Sequence, residues 1–435
     1  MANLKTFQVV VMGIFGAIAL LGLFLFANFQ GFSNGVKPLG TVVIWGTFPA
    51  TSITNNLNAL KQGRPEYIGI SYVERSSETF NDDLAEAIAS GQGPDLIIVS
   101  QEDLLAARNK LGLIPSASLS ERKFRDTYLP ISELFLTTGG TYGIPFVIDP
   151  LMLYYNRPVL ASAGAARPPS TWEAVTGLAA AINRQTEAQT ITRSLIALGT
   201  YENVDNARGT LSLLFLQSGY AISENSTAGY RSTLTRVDTS HVFGTQPAES
   251  ALNFYTEFAN PSKTVYSWNR ALPKSREAFL AGDLGLYLGF ASERAAIEEA
   301  NPNLDFDMAP SPSPATSVTR VAYANIYAFA VPKSSKNSSG AIRAAMALTD
   351  KNALPLLAHG LGMVPAQRAL LTPAEGDLYE PVYFPEALIA KTWLSPEPLE
   401  TDRIFAAMIG NVISGRESVS DALYSADQAL TAALK

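Results

Sequence analysis

Aromatic, amide and carboxylate side chains gather at the ends of the apolar runs that read as strands. Trp45, Thr47 and Phe48 close the run that begins at Thr41. Ser100, Gln101 and Glu102 follow Leu96–Val99, and Phe290, Ala291 and Ser292 follow Leu284–Leu288. Tyr201, Glu202 and Asn203 follow Leu195–Leu198. In open α/β sheets, ligands sit beyond the carboxyl ends of the strands. An aromatic ring suits the apolar face of a sugar, while amides and carboxylates suit its hydroxyls. Each group also has a plainer reading. Trp45 fits a core position at a strand end, Ser100 and Gln101 fit helix caps, and Tyr201 to Asn203 fit an exposed loop. Tyr323 and Asn325 are further candidates. They share one face of the alternating run Ala322–Val331, where aromatic residues more often pack.

Covalent chemistry has little support. The chain has no cysteine and only two histidines, His241 and His359. That excludes disulfides, thiolate metal sites and a thiol nucleophile, and leaves a multi-histidine centre without ligands. No metal and no cofactor is expected. Gly31-Phe32-Ser33-Asn34-Gly35 matches G-x-S-x-G literally, but it lies in a linker rather than between a strand and a helix. His241 sits in a polar stretch, and His359 fits the end of a helix, where the macrodipole favours it. Asp82-Asp83 and Glu298-Glu299 are adjacent pairs and read as helix-face charges.

The elements that must position these residues come from a chain of 435 residues, of which 47% are hydrophobic and 16% charged. That composition supports a large core and rules out a disordered chain. The net charge of -7 makes nucleic acid an unexpected partner. Thr6 to Val36 carries no charge, and Phe7 to Phe29 is nearly all apolar. As a helix that centre would rise about 35 Å, enough for the ~30 Å bilayer core. It lacks a convincing A-x-A exit. An uncleaved anchor at 7–29, after a short cytoplasmic tail at 1–6, is therefore preferred over a signal peptide or a buried core helix. Lys5 supports that orientation. Gly31–Gly40 reads as a linker, within a linker region of 30–40.

Beyond the linker, strand, helix and strand alternate. Thr41–Trp45 and Leu96–Val99 are buried strands. Ser77–Ala89 is a helix, with Phe80, Leu84 and Ile88 at four-residue spacing. Ser170 and Glu173 read as a capping box for a helix through Ala181, and Ser338 or Ser339 as the cap of a helix through Leu348. Leu252–Phe258 and Arg276–Leu280 look helical. Ala309–Pro314 is a Pro/Ser linker, and no internal repeat is present. The pattern predicts a mostly parallel sheet covered by helices.

Six segments in order resemble a known family. They are Ser90-Gly91-Gln92-Gly93-Pro94-Asp95; Tyr142-Gly143-Ile144-Pro145 with Leu153-Tyr154-Tyr155-Asn156; Pro169-Ser170-Thr171-Trp172-Glu173; Ala278 to Leu286; Asn301 to Phe306; and Val331 to Asn337. The chain is similar, over about residues 41–430, to the bacterial extracellular solute-binding proteins of ABC transporters, the maltose-binding-like family. It departs from them in having no cysteine to carry a lipid. The resemblance implies a two-lobed periplasmic-binding-protein-like II α/β fold with interwoven lobes and a hinge, and the apolar run at 7–29 puts one N-terminal transmembrane helix before it. Mapping the motifs puts lobe 1 at 41–148 and 266–312, and lobe 2 at 151–262 and 320–435. Crossings fall near Phe146–Pro150, Ser262–Tyr266 and Ser311–Arg320. The resemblance further implies that Asp149 faces the cleft from a crossing strand and that Met363 sits in a loop closing over ligand. It implies a non-enzymatic monomer on the outer face of the membrane, binding a small polar solute, a carbohydrate first, and delivering it to permease subunits. A sensor or adhesion module of the same fold is the alternative, and a carbohydrate-active enzyme a weaker one.

Overall fold

The computed structural model describes residues 39–188, 190–227, 229–237 and 246–435, together with Ile18. The expected tail, the anchor at 7–29, most of the linker and His241 lie outside the described residues. Among the described residues, no helix is long and apolar enough to cross a membrane.

The strands that matter are β1 (Val42–Gly46), β2 (Ile70–Glu74), β3 (Leu96–Ser100), β4 (Ile144–Asn156), β5 (Ile191–Ile196), β6 (Leu284–Phe290), β7 (Phe306–Pro310), β8 (Ala322–Ala330) and β9 (Val364–Pro365). They form one hydrogen-bonded network in the order β2-β1-β3-β8-β4-β6-β5, with β7 and β9 also paired to β4. β1 runs parallel to β2 and β3, as strand-helix-strand units require. β3 is buried at every position, and its Leu-Ile-Ile-Val run has no polar side to show.

β4 spans 13 residues and joins the two halves of the network. Its first part, through Pro150, pairs with β8. Its second part, from Leu151, pairs with β6 and β7. Two apolar cores meet along the second part of β4, where Met152 and Tyr154 belong to one and Leu151 and Leu153 to the other. One gathers Ile44, Ile97, Val99, Phe146, Ile148 and Ala328. The other gathers Leu151, Leu153, Leu195, Leu211, Leu286 and Phe405.

The pairing corrects the expected allotment of segments. β6, from the 266–312 stretch, pairs with β5 and the second part of β4, not with β1 to β3. β8, from the 320–435 stretch, pairs with β3. The chain returns to the first sheet after the Pro/Ser linker, because the antiparallel edge of β3 is free to take β8 there. Alternation within Ala322–Ala330 gives no address between two sheets.

Helices cover the network: α1 (Ala50–Gly63), α2 (Phe80–Ala89), α3 (Trp172–Gly177), α4 (Ala207–Gln217), α5 (Pro247–Glu257), α6 (Ser338–Leu348), α7 (Leu354–Leu361), α8 (Glu380–Leu388), α9 (Pro398–Ile413) and α10 (Val419–Ala433). Two caps move from their expected residues. Extended backbone at Thr171 (φ -129°, ψ 155°) aims its hydroxyl at the Ala174 N–H, 3.2 Å away, so Thr171 replaces Ser170. Glu173 turns instead to the Ala315 N–H at 3.0 Å. Asn337, not Ser338 or Ser339, caps α6 by accepting from Gly340 N–H at 3.2 Å.

α4 is buried at almost every position from Ala207 to Leu216. A helix apolar all round belongs in an interior. Here it packs against α5, α9 and β8, so its first turn opens where the two cores meet.

Candidate functional site

At that junction lies a cavity of about 340 Å³. Glu102 reaches it from the end of β3 and Asn325 from β8. Tyr201, Glu202, Asp205 and Asn206 line it from the connection between β5 and α4, and Arg208 from the first turn of α4. Phe290 comes from the end of β6, Lys274 from the segment before it, and Asp402 from α9. Elements built on both cores therefore share one hollow.

Its centre is an ion-pair network. Arg208 Nε donates to Glu102 Oε1 at 2.7 Å and Nη2 to Oε2 at 2.9 Å, a bidentate pair across the junction. Arg208 Nη1 also lies 2.6 Å from Asp402 Oδ1. The Tyr201 hydroxyl donates to the same Asp402 oxygen. Burial works against the Arg208 charge, but Glu102 and then Asp402 more than offset it, and the guanidinium pKa rises further. Burial, then Asp402, push the Tyr201 phenol up.

Asn206 is the one non-glycine described residue with a left-handed backbone, at φ 58°. Its side-chain Nδ2 donates to Glu293 Oε1 at 2.6 Å and to Tyr287 Oη at 3.1 Å, and these bonds hold the strained turn that starts α4. Gly209 lets the helix approach two rings. A Cβ there would stand 3.2 Å from Phe290 Cζ and 3.3 Å from Tyr323 Cε1.

A second set of groups lies beside the crossing strand. Asp149 is 3% exposed and accepts from Ser292 N–H at 3.1 Å and Ser292 Oγ at 2.6 Å. Burial pushes its carboxyl up to about 7, against the pull of the two Ser292 bonds.

A family model described as bacterial extracellular solute-binding protein matches residues 57–377. The chain belongs to this family. No curated protein matches the binding protein by sequence. Three solved structures show the same two-lobed α/β fold. The cyclic alpha-maltosyl-1,6-maltose binding protein from Arthrobacter globiformis has a TM-score of 0.72 at 17% identity, over 92% of this chain and 100% of that one. The sugar-binding protein MalE from Xanthomonas citri gives 0.71 at 18%, over 91% and 97%. The GacH receptor of Streptomyces glaucescens gives 0.68 at 16%, over 91% and 98%.

Of the residues singled out from the sequence, Glu102, Tyr201, Glu202, Phe290 and Asn325 line the cavity of the binding protein. The others stand elsewhere. The Arg75 guanidinium lies 3.8 Å over the Trp45 ring, and Trp45 itself is buried. Thr47 is in an exposed turn, and Phe48 packs edge-on against Tyr327 at 4.8 Å. Ser100 Oγ accepts from Asp103 N–H at 3.2 Å, the cap-like bond, and donates to Asp103 Oδ2 at 2.6 Å. Gln101 is fully buried. It donates to Asn325 Oδ1 at 2.7 Å and accepts from Ile326 N–H at 2.7 Å, tying β3 to β8. Asn203 donates to the Asn269 and Leu272 carbonyls at 3.0 and 2.9 Å, holding a loop. Tyr323 is buried, with its hydroxyl 3.1 Å from Asn325 Oδ1. Asp149 and Ser292 satisfy each other, and Met363 is core. Gln101 and Tyr323 therefore act on the cavity through Asn325.

Arg208, Asp402, Asn206, Asp205 and Lys274 were not singled out from the sequence. One arginine opening the apolar stretch Leu211–Leu216 was the available signal for Arg208. Asp402 gave none, because its partners are fixed only by tertiary packing.

A larger hollow of about 620 Å³ lies between Trp172, Leu214, Ala251 and Phe254. All of its lining falls within residues 172–314, and a single carboxylate, Glu173, is its only charged group. The smaller cavity has the strand ends and the contributions from both cores, and it is the stronger candidate for a binding site.

Gly199 sets the path from β5 into this site. Its φ is +96°, and a Cβ would stand 2.5 Å from the Ala259 nitrogen. Gly199→Ala is expected to cost about 3 kcal/mol of stability, combining left-handed strain with a backbone clash. A denaturant titration showing less than about 1 kcal/mol would contradict this placement.

Proposed function

We propose that the binding protein captures a small, uncharged carbohydrate in the cavity at the junction of its two lobes and passes it to an ABC transporter by hinge closure. The observation that carries this reading is the cavity lining itself. Tyr201 and Phe290 offer aromatic surface, and Asn325, Glu102, Asp402 and Arg208 offer hydrogen-bonding groups from both sides. Four carboxylates (Glu102, Glu202, Asp205, Asp402) face two cations (Arg208, Lys274) in that lining, which disfavours an anionic solute. The relatives point the same way. Solved structures of similar fold hold maltotetraose, mannobiose and alpha-D-tagatose.

Closure follows from bridging. A solute touching Asn325 on one side and Tyr201 or Phe290 on the other gains contacts only when the lobes are together, and its differential affinity shifts the population. β4 and the Pro/Ser stretch after β7 are the hinge in this reading. No catalysis is part of it. The uncharged run Thr6–Val36 supports a single-span tether with the lobes on the extracellular or periplasmic side, acting as a monomer beside permease subunits.

Isothermal titration of the full chain with maltotetraose, mannobiose and tagatose tests the reading. At least one should bind with micromolar affinity or better. Asn325→Ala should weaken that binding by about tenfold or more, the loss of one to two buried hydrogen bonds. Binding unchanged in Asn325→Ala would move the site elsewhere.

A further inference from the structure

Away from the cavity, one group of His, Asp and Glu side chains converges among the described residues. His359 near the end of α7, Asp377 in the turn before α8, and Glu380 at the start of α8 bring three ligand atoms within 4.8 Å of one another. His359 Nδ1 stands 3.0 Å from Glu380 Oε1 and 4.0 Å from Asp377 Oδ2.

The turn orients the carboxylates. Asp377 Oδ1 accepts from the N–H groups of Tyr379 at 2.7 Å and Glu380 at 2.8 Å, so Oδ2 points away from the helix. Glu380 Oε2 accepts from Ala374 N–H at 2.5 Å, leaving Oε1 for His359. Glu380 is only 3% exposed, and Asp377 is half-buried. Among the described residues, His359 is the basic side chain paired with these carboxylates within 4.0 Å. Two sheltered carboxylates facing each other repel, and a bound cation removes that repulsion.

We infer that His359 Nδ1, Asp377 Oδ2 and Glu380 Oε1 bind a first-row divalent metal ion. Donors about 2.0–2.2 Å from one ion stand roughly 3–4 Å from each other, as the two distances from Nδ1 do. One imidazole with two carboxylates suits Zn²⁺ or Mn²⁺. Ca²⁺, which takes six to eight oxygens, is poorly served. His359 is exposed, so water completes the coordination. The ion fastens the turn before α8 to α7. These elements flank the crossing strand: α8 packs on β4, and α7 leads into β9, which pairs with β4 at Val147 and Ile148. The ion is a structural clasp beside the hinge.

Calorimetric titration of the EDTA-treated full chain with ZnCl₂ and MnCl₂, without solute, tests this. One ion per chain is expected for at least one of the two metals. His359→Ala and Asp377→Asn should each weaken it by about tenfold or more. Asn at 377 keeps an oxygen to accept from the Tyr379 and Glu380 N–H groups, and Ala at 359 replaces an exposed residue, so both variants should fold. His241→Ala should leave binding unchanged. No binding of either metal, binding equal in wild type and both variants, or tighter binding of Ca²⁺ would overturn the assignment. The result is independent of which solute the cavity takes.

Discussion

Arg208→Met is expected to lower the unfolding free energy by about 3 kcal/mol, near the low end for breaking a buried ion pair. The magnitude follows from exposure. The Arg208 and Glu102 side chains are 22% and 11% exposed, so removal leaves Glu102 sheltered and unpaired. Asp402, at 39%, is better solvated and adds less. Glu102→Gln in the same background should recover part of the loss, because the orphaned charge goes with it. A double-mutant cycle from urea titrations measures that coupling. Additive effects, or a single-variant change below about 1 kcal/mol, would mean that Arg208 does not bridge the junction. Solute affinity should fall in the same variant, since two carboxylates in the cavity lining lose their cation.

Asp149→Asn should stabilise the folded protein at pH 8 and have almost no effect near pH 4. Burial lifts the folded-state carboxyl from 3.8 to about 7. The folded protein therefore holds a proton that the unfolded chain has released between those values, and wild-type stability falls as pH rises through that window. Below pH 4 both states are protonated, and the contribution is fully present. Above pH 7 the penalty levels off, at about 2–4 kcal/mol for a shift of roughly three units. Asparagine has no charge to bury. It can still accept from Ser292 N–H, and its amide can donate to Ser292 Oγ. Asp103, also lifted to about 6 by burial, contributes equally to both proteins and cancels in the difference. Stability curves for the two proteins from pH 4 to 8 should diverge steadily. Parallel curves, or a variant less stable at pH 8, would contradict the buried, charge-averse setting of Asp149.

Local signals carried the strand-helix-strand alternation, because apolar runs and four-residue spacing depend only on neighbours. They also carried Tyr201 and Phe290, which follow strands, and Asn325, on one face of an alternating strand, and all three line the cavity. What failed depended on distance. Arg208 meets Glu102 across 106 positions, and no spacing rule connects them. Gln101, polar after a strand, and Asp149, a cleft position in the resembled family, are both held by partners that only folding supplies: Asn325 and Ile326 for the first, Ser292 for the second. The allotment of β6 and β8 was reversed for a related reason. A buried strand is legible as a strand, but its sheet is decided by the edge left open when it arrives. Even the Thr171 cap shows this in miniature, where one residue's extended backbone displaced an equally suitable serine.

Small-angle scattering of the full chain, with and without whichever of maltotetraose, mannobiose or tagatose binds in calorimetry, tests the central claim most directly. Hinge closure predicts a smaller radius of gyration on saturation, a change that Asn325→Ala shifts to higher sugar concentration. Saturation with no compaction would contradict a cleft that closes on its solute.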